Sequence, residues 1–176
     1  METFEHVKDC VRYNTWANGR LIEWLGNKPE EVLGQDFVSS FSGIKQTVYH
    51  ILNVQEGWLK TLRHELPENT YGQVYEGSMA DLLAALKANC EEMEQFVEGL
   101  TPDQLTELCS FWVPVRWPEF DEFFRPRTEI IQHAVTHATY HRGQVVTIGR
   151  NLGITDAPMT DYMYYLLMAK PAEVTA

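Results

Sequence analysis

Histidines 133, 137 and 141 stand at four-residue intervals in the run His133-Ala-Val-Thr-His137-Ala-Thr-Tyr-His141-Arg142-Gly143-Gln144, near the C-terminal end of a chain of 176 residues. Side chains four apart on an α-helix lie on one face, with Cβ atoms about 5–6 Å apart. At that reach two imidazoles can grip one divalent ion through a nitrogen of each. Neutral imidazoles in an apolar stripe each need a donor and an acceptor partner, and leaving such a group unpaired costs roughly 1–3 kcal/mol. A metal would satisfy two at once, although hydrogen-bonded core histidines share the same spacing. A His-Glu-x-x-His peptidase is excluded, because Ala134 or Ala138 follows each candidate first histidine where that mechanism needs its glutamate.

A helical wheel advancing about 100° per residue separates the three. With Ile130 and Ile148 at zero, Ala134, Ala138 and Val145 mark the core side. His137 and His141 fall about 20° either side of zero, and His133 about 60° out, toward Thr136 and Tyr140. The inward pair is therefore His137 and His141. Gln144 falls beside His137, where it can only hydrogen-bond. Arg142, at about 120°, lies off this face and is expected to serve folding through an ion pair with a neighbouring helix. In the second helical segment His50 sits on the flank beside Thr47, Val54 and Gly57 and could reach a groove, although taken alone it reads more simply as a packing residue. His6 and His64 fall near helix ends and are expected to be exposed and without a role. Glu56 faces the polar side of its helix.

The elements that must position these residues follow from apolar periodicity. Phe4, Val7, Val11, Leu21 and Leu25 predict a helix over residues 4–27, closed by Gly26 and Pro29. Ile44, Val48, Ile51, Leu52, Leu59 and Leu62 predict a second over 43–64. Ser78 and Asp81 resemble a cap opening a third, which runs to Gly99, and Thr101-Pro102-Asp103-Gln104 starts a short turn. Over residues 108–127 the period fails among Pro114, Pro118 and Pro126, while Phe111, Trp112, Trp117, Phe120, Phe123 and Phe124 crowd in. This stretch is expected to be a long apolar connector with one short extended segment, its aromatics plugging the end of the fold or a dimer interface. A fourth helix over 128–151 carries the histidines, and a last piece over 162–168 caps the fold. The expectation is a single all-α domain over residues 1–176, an up-down four-helix bundle with an aromatic connector before the last long helix.

Composition narrows the function classes. A hydrophobic content of 44% in 176 residues supports a globular core. With 14 Lys+Arg against 25 Asp+Glu the net charge is -11, and no basic run offsets it, so nucleic-acid binding is not expected. Charged residues Glu2, Glu5, Lys8, Asp9 and Arg12 occupy the N-terminus, and no later run approaches the roughly 18 apolar residues of a membrane span. The expectation is a cytoplasmic protein without a membrane partner. Cys10, Cys90 and Cys109 are odd in number and far apart, which fits ordinary thiols rather than a disulfide framework or a thiolate zinc cluster.

The string His137-x-x-x-His141-Arg142-Gly143-Gln144, with Trp16-Ala17-Asn18 and His50, the Gly153 turn, and Pro158 before Asp161-Tyr162, resembles the DinB/YfiT-like metalloprotein superfamily over nearly the whole chain. The resemblance implies a four-helix bundle holding one divalent ion on His50, His137 and His141, with zinc or nickel expected. His133 then becomes a rim residue or one that supports a ligand from behind, and Trp16 and Asn18 stay outside the site. Three neutral imidazoles leave a coordination position open, the pattern of a catalytic site. The resemblance further implies a homodimer and a small-molecule substrate. The reactions it admits are thiol-dependent S-transfer with a low-molecular-weight thiol cosubstrate, or hydrolysis by metal-activated water. The alternative it admits is a non-catalytic metal-binding stress-response protein. No carboxylate stands on the fourth-helix core face to act as base, which weighs modestly against hydrolysis.

Overall fold

Long amphipathic segments bury their stripes against one another in the computed structural model, which describes residues 2–68, 72–116 and 119–170. In chain order the elements are α1 (Glu2–Gly26), α2 (Glu30–Leu33), α3 (Ile44–Leu62), α4 (Met79–Glu98), α5 (Pro102–Thr106), β1 (Leu108–Arg116), β2 (Glu119–Pro126), α6 (Arg127–Asn151) and α7 (Tyr162–Met168). Helices α1, α3, α4 and α6 form the expected four-helix bundle. α1 and α3 each pack between α4 and α6 and so stand diagonally across it. Leu21, Leu25, Ile44, Val48, Ile51, Leu82, Leu86, Val145 and Ile148 form one core cluster, and Val11, Leu59, Met93, Val97, Ile130 and Ile131 belong to a second. Among the described residues no helix is long and apolar enough to cross a membrane.

Contacts along the helices fix their directions. Lys8 and Arg12 of α1 reach Glu98 at the far end of α4, so α1 and α4 are antiparallel. Gln55 bonds Asn89, and Arg63 bonds Glu92, so α3 and α4 run parallel. Leu62 meets Arg127 at the start of α6, making α3 and α6 antiparallel. The bundle thus runs up, down, down, up. Simple alternation assumes short connections, whereas residues 63–78 can extend to roughly 50 Å, ample to return along a helix of roughly 30 Å. α1 and α6 run close together, since a Cβ on Gly149 would lie 2.7 Å from the Trp24 ring.

The connector is more ordered than expected. β1 and β2 pair as an antiparallel hairpin, with Phe111 opposite Phe123 and a register shift between Pro114 and Arg116. Pro114 sits at the register shift and Pro126 at a strand end, where a ladder tolerates proline. Cys109 is buried and Phe111 half-buried, while Leu108, Ser110 and Trp112 between them face outward. Phe111 stacks across the hairpin on Phe123 at 6.2 Å and meets Trp58 of α3 at 5.3 Å. Trp112 and Phe124 are exposed. Trp117 and Pro118 lie outside the described residues, as do the side chains of residues 113–120. The caps expected at Ser78 and at Thr101 with Gln104 are both formed. α7 docks on α1, where the buried Asp9 carboxylate accepts from Tyr162, Tyr165 and Lys170.

Arg142 is buried at 1% exposure, and the ion pair expected for it is absent among the described residues. Its guanidinium is held by neutral acceptors instead. Nη1 donates to Asn14 Oδ1 and Asn18 Oδ1, both at 2.9 Å, and Nη2 donates to Thr139 Oγ1 at 2.7 Å and Tyr13 Oη at 3.3 Å. The network continues: Asn14 donates to Gln55, Gln55 to Asn89 and Cys90, and Asn18 to Cys90. Every long helix contributes a residue. Truncating Arg142 strands the Asn14 and Asn18 carbonyls in the core, so Arg142→Ala should lower stability by roughly 2–5 kcal/mol in urea unfolding. Arg142→Lys should recover less than half, because an ammonium cannot reproduce the planar fork.

Candidate metal centre

α6 begins at Arg127, whose guanidinium bonds Leu62 O at the end of α3, and from there the two helices run antiparallel. Their facing turns bring His50 against His137 and His141. His50 Nε2 and His141 Nε2 each lie 3.1 Å from His137 Nε2, and one ring nitrogen from each of the three histidines lies within 4.8 Å of the others. His141 is buried, and His50 and His137 are half-buried.

Hydrogen bonding prepares the nitrogens. His141 Nδ1 lies 2.7 Å from Gln144 Oε1. That carbonyl can only accept, so the proton sits on Nδ1 and Nε2 carries a lone pair. One N–H cannot satisfy both 3.1 Å contacts at His137 Nε2, so the three nitrogens are not all paired by one another. A cation between them would take every lone pair. Two nitrogens about 2.1 Å from one ion at a tetrahedral angle sit about 3.4 Å apart, close to the spacing here, and the donor set therefore fits a divalent metal.

Electrostatics act in the same direction. Burial, then the neighbouring His141, pushes His50 down to about 4. Burial, then His141, His50 and His133, pushes His137 down to about 3. Burial also lowers His141, opposed by its bond to Gln144. All three imidazoles are neutral at pH 7, the state a metal requires.

The surroundings are aromatic. Phe41 stacks on His50 at 4.2 Å, and Tyr140 meets His141 edge-on at 4.9 Å. His133 is exposed, 5.0 Å from Trp58 and 5.8 Å from His137, and its wheel angle of about 60° had set it apart from the inward pair. Gln144 bonds His141 rather than His137; the i to i+3 spacing of residues 141 and 144 was the available signal. Phe41 and Ser40, which bonds Gln144, come from the loop before α3, and no periodicity points to them. Glu56 is exposed. His6 is exposed, with its Nε2 3.7 Å from Cys10 Sγ. His64 is exposed too, yet it has a partner, since Arg127 Nη2 bonds its ring at 2.7 Å.

Comparison with known proteins bears on the family and the fold. The family model described as DinB family matches residues 1–173. The chain is 29% identical over 169 residues to protein DinB of Bacillus subtilis (strain 168), covering 90% of this chain and 92% of that one. It superimposes on the crystal structure of a DinB-like protein from Bacillus cereus ATCC 10987 with a TM-score of 0.66 at 18% identity, covering 88% of this chain and 95% of the other. That likeness concerns the fold.

The depressed histidines carry a stability signature. An unfolded chain takes up their protons near pH 6.5, whereas the folded cluster refuses them until about 4 and 3. Their contribution is thus fully present above about pH 6.5 and is lost as pH falls toward the folded values. In metal-free protein, urea midpoints should drop more steeply between about pH 7 and 5 for wild type than for His137→Ala. Parallel profiles would show that the imidazoles are not held neutral by the fold.

Proposed function

The chain belongs to the DinB family, and we propose on that basis that His50, His137 and His141 hold one divalent ion, zinc or nickel, in a metal-dependent enzyme acting on a small molecule. One observation carries this reading: one ring nitrogen from each of the three histidines lies within 4.8 Å of the others, and the proton of the most buried ring is committed to Gln144. A structural zinc site closes its coordination shell with four protein ligands, whereas three imidazoles leave a position open and the positive charge unneutralised. When bound, the ion supplies Lewis acidity that favours the deprotonated form of a thiol or of water.

Between those two nucleophiles, the residues around the cluster favour a low-molecular-weight thiol, and so a thiol S-transferase. A hydrolase needs a base within hydrogen-bond reach of the attacking water. The cluster contains no carboxylate among the described residues. Phe41, Tyr140 and Trp58 instead offer apolar surface to an organic electrophile. In that reaction the thiol sulfur forms a bond to carbon as the leaving group departs with its electron pair, and the thiol proton passes to solvent. Gln144 orients His141, and the aromatic rings limit water. The exposed rings of Trp112 and Phe124, at 57% and 51%, support a homodimer contact through the hairpin.

Elemental analysis of untagged protein is the first test. About one metal per chain is expected for wild type and none for the His137→Ala, His141→Ala double variant; no metal in wild type after reconstitution would end the proposal. With metal in place, glutathione, bacillithiol or mycothiol plus a chlorinated aromatic should yield chloride and a thioether. Metal without turnover on any thiol would favour hydrolysis or a non-catalytic role. Sedimentation should give a dimer for wild type and a monomer for Trp112→Glu, Phe124→Glu.

A further inference from the structure

Between α2 and α3 the chain makes an excursion that reaches the histidine cluster. It travels out to Val38, 99% exposed, and folds back through Gly43. Gly43 has φ 109, and a Cβ there would lie 2.4 Å from Gln35 O, so the return needs glycine. The loop surrounds a cleft of about 310 Å³ lined by residues 36–42. Phe37 packs at the edge of the core. Beyond it, two contacts attach the loop to the cluster. The Phe41 ring stacks on His50 at 4.2 Å and 29° and meets His141 edge-on at 5.7 Å. Ser40 Oγ accepts from Gln144 Nε2 at 3.0 Å.

Gln144 joins the two. Its Oε1 faces His141 Nδ1–H at 2.7 Å, and because a carboxamide is planar and polar, fixing that oxygen also fixes where its NH₂ points. Here the NH₂ points to Ser40, with Tyr140 Oη a weaker partner at 3.3 Å. One amide therefore holds a candidate ligand with one end and the loop with the other.

We infer that Phe41 is the specificity-determining residue of this centre, and that Gln144 is a positioning residue coupling the orientation of His141 to closure of the 35–43 loop. The inference rests on the metal reading above. Phe41 covers the face shared by His50 and His141, so a ligand reaching the open position from that side must displace the ring, and bulky ligands bear the greater cost. Ser40 is the latch that holds the ring down.

Cobalt-loaded protein tests this through its visible spectrum, independently of turnover. Phe41→Ala and Ser40→Ala should bind glutathione about tenfold more tightly than wild type, with azide, a small probe, changed less than about twofold. Hydrogen exchange across residues 35–43 should accelerate in Ser40→Ala, and cobalt affinity should fall by less than in Gln144→Ala, because His141 keeps its acceptor while that acceptor loses its tether to the loop. In Gln144→Ala the exchange should accelerate and cobalt affinity should fall about ten- to a hundredfold, the usual effect of losing a partner that orients a metal-binding histidine. Gln144→Glu, which keeps an acceptor for His141 and a partner for Ser40, should restore both. Unchanged selectivity in Phe41→Ala, weaker glutathione binding there, or unaltered loop exchange in Gln144→Ala would overturn this inference while leaving the metal centre intact. Failure of wild type to bind cobalt would overturn the metal reading itself, and this inference with it.

Discussion

A guanidinium sealed inside the bundle without a carboxylate is the constraint around which the helices are arranged. Placing an unpaired charge in a low-dielectric interior is costly unless polar groups replace its hydration. Arg142 meets that requirement at Nη1 and Nη2 with two asparagine carbonyls and two hydroxyls, while its buried Nε has no partner among the described residues. Those amides are in turn committed to Gln55, Asn89 and Cys90. A slip of any one long helix would break several of these bonds at once, so the network acts as a register lock where apolar packing alone would tolerate sliding. Arg142 follows His141 directly, and consecutive residues diverge by about 100° on a helix. Docking Arg142 against α1 therefore aims His141 at α3.

The three-imidazole cluster works against the fold that holds it. Its nitrogens crowd to 3.1 Å without full pairing, and burial disfavours the protonation that would supply the missing donors. A site that only stabilised the bundle would have been filled more simply by leucine or valine, as its neighbours Ala138, Val145 and Ile51 illustrate. A set of neutral, incompletely paired imidazoles accords with the metal-binding reading proposed above. The antiparallel pairing of α3 and α6, anchored where Arg127 bonds the end of α3, brings the three rings together from two long helices.

Much of this was legible in the residues. Periodicity located the four long helices and the terminal α7 to within a few residues. It also separated the inward His137 and His141 from His133, because a wheel angle depends only on the helix's own repeat. The caps at Ser78 and Thr101 were readable for the same reason, their donors and acceptors lying within a few residues. The hairpin was not: its prolines signalled the end of helix but gave no positive sign of a strand, and the alternation of Cys109 and Phe111 was masked by apolar residues on both faces. The loop at Phe41 and Ser40 was equally silent, since nothing local distinguishes it from any exposed turn.

Local repeat thus set which side chains share a face: His137 with His141, Arg142 away from both, Gln144 within reach. Assembly set which faces meet and with what chemistry. His50 lies 87 residues from the histidine it touches, and Arg142 lies 128 from Asn14. The expected ion pair became an amide network, and the simple alternation of helices became a crossover, because these outcomes depend on contacts between distant segments and on connections long enough to permit more than one arrangement. A helical period records direction about a single axis and carries no information about the axis that will lie beside it.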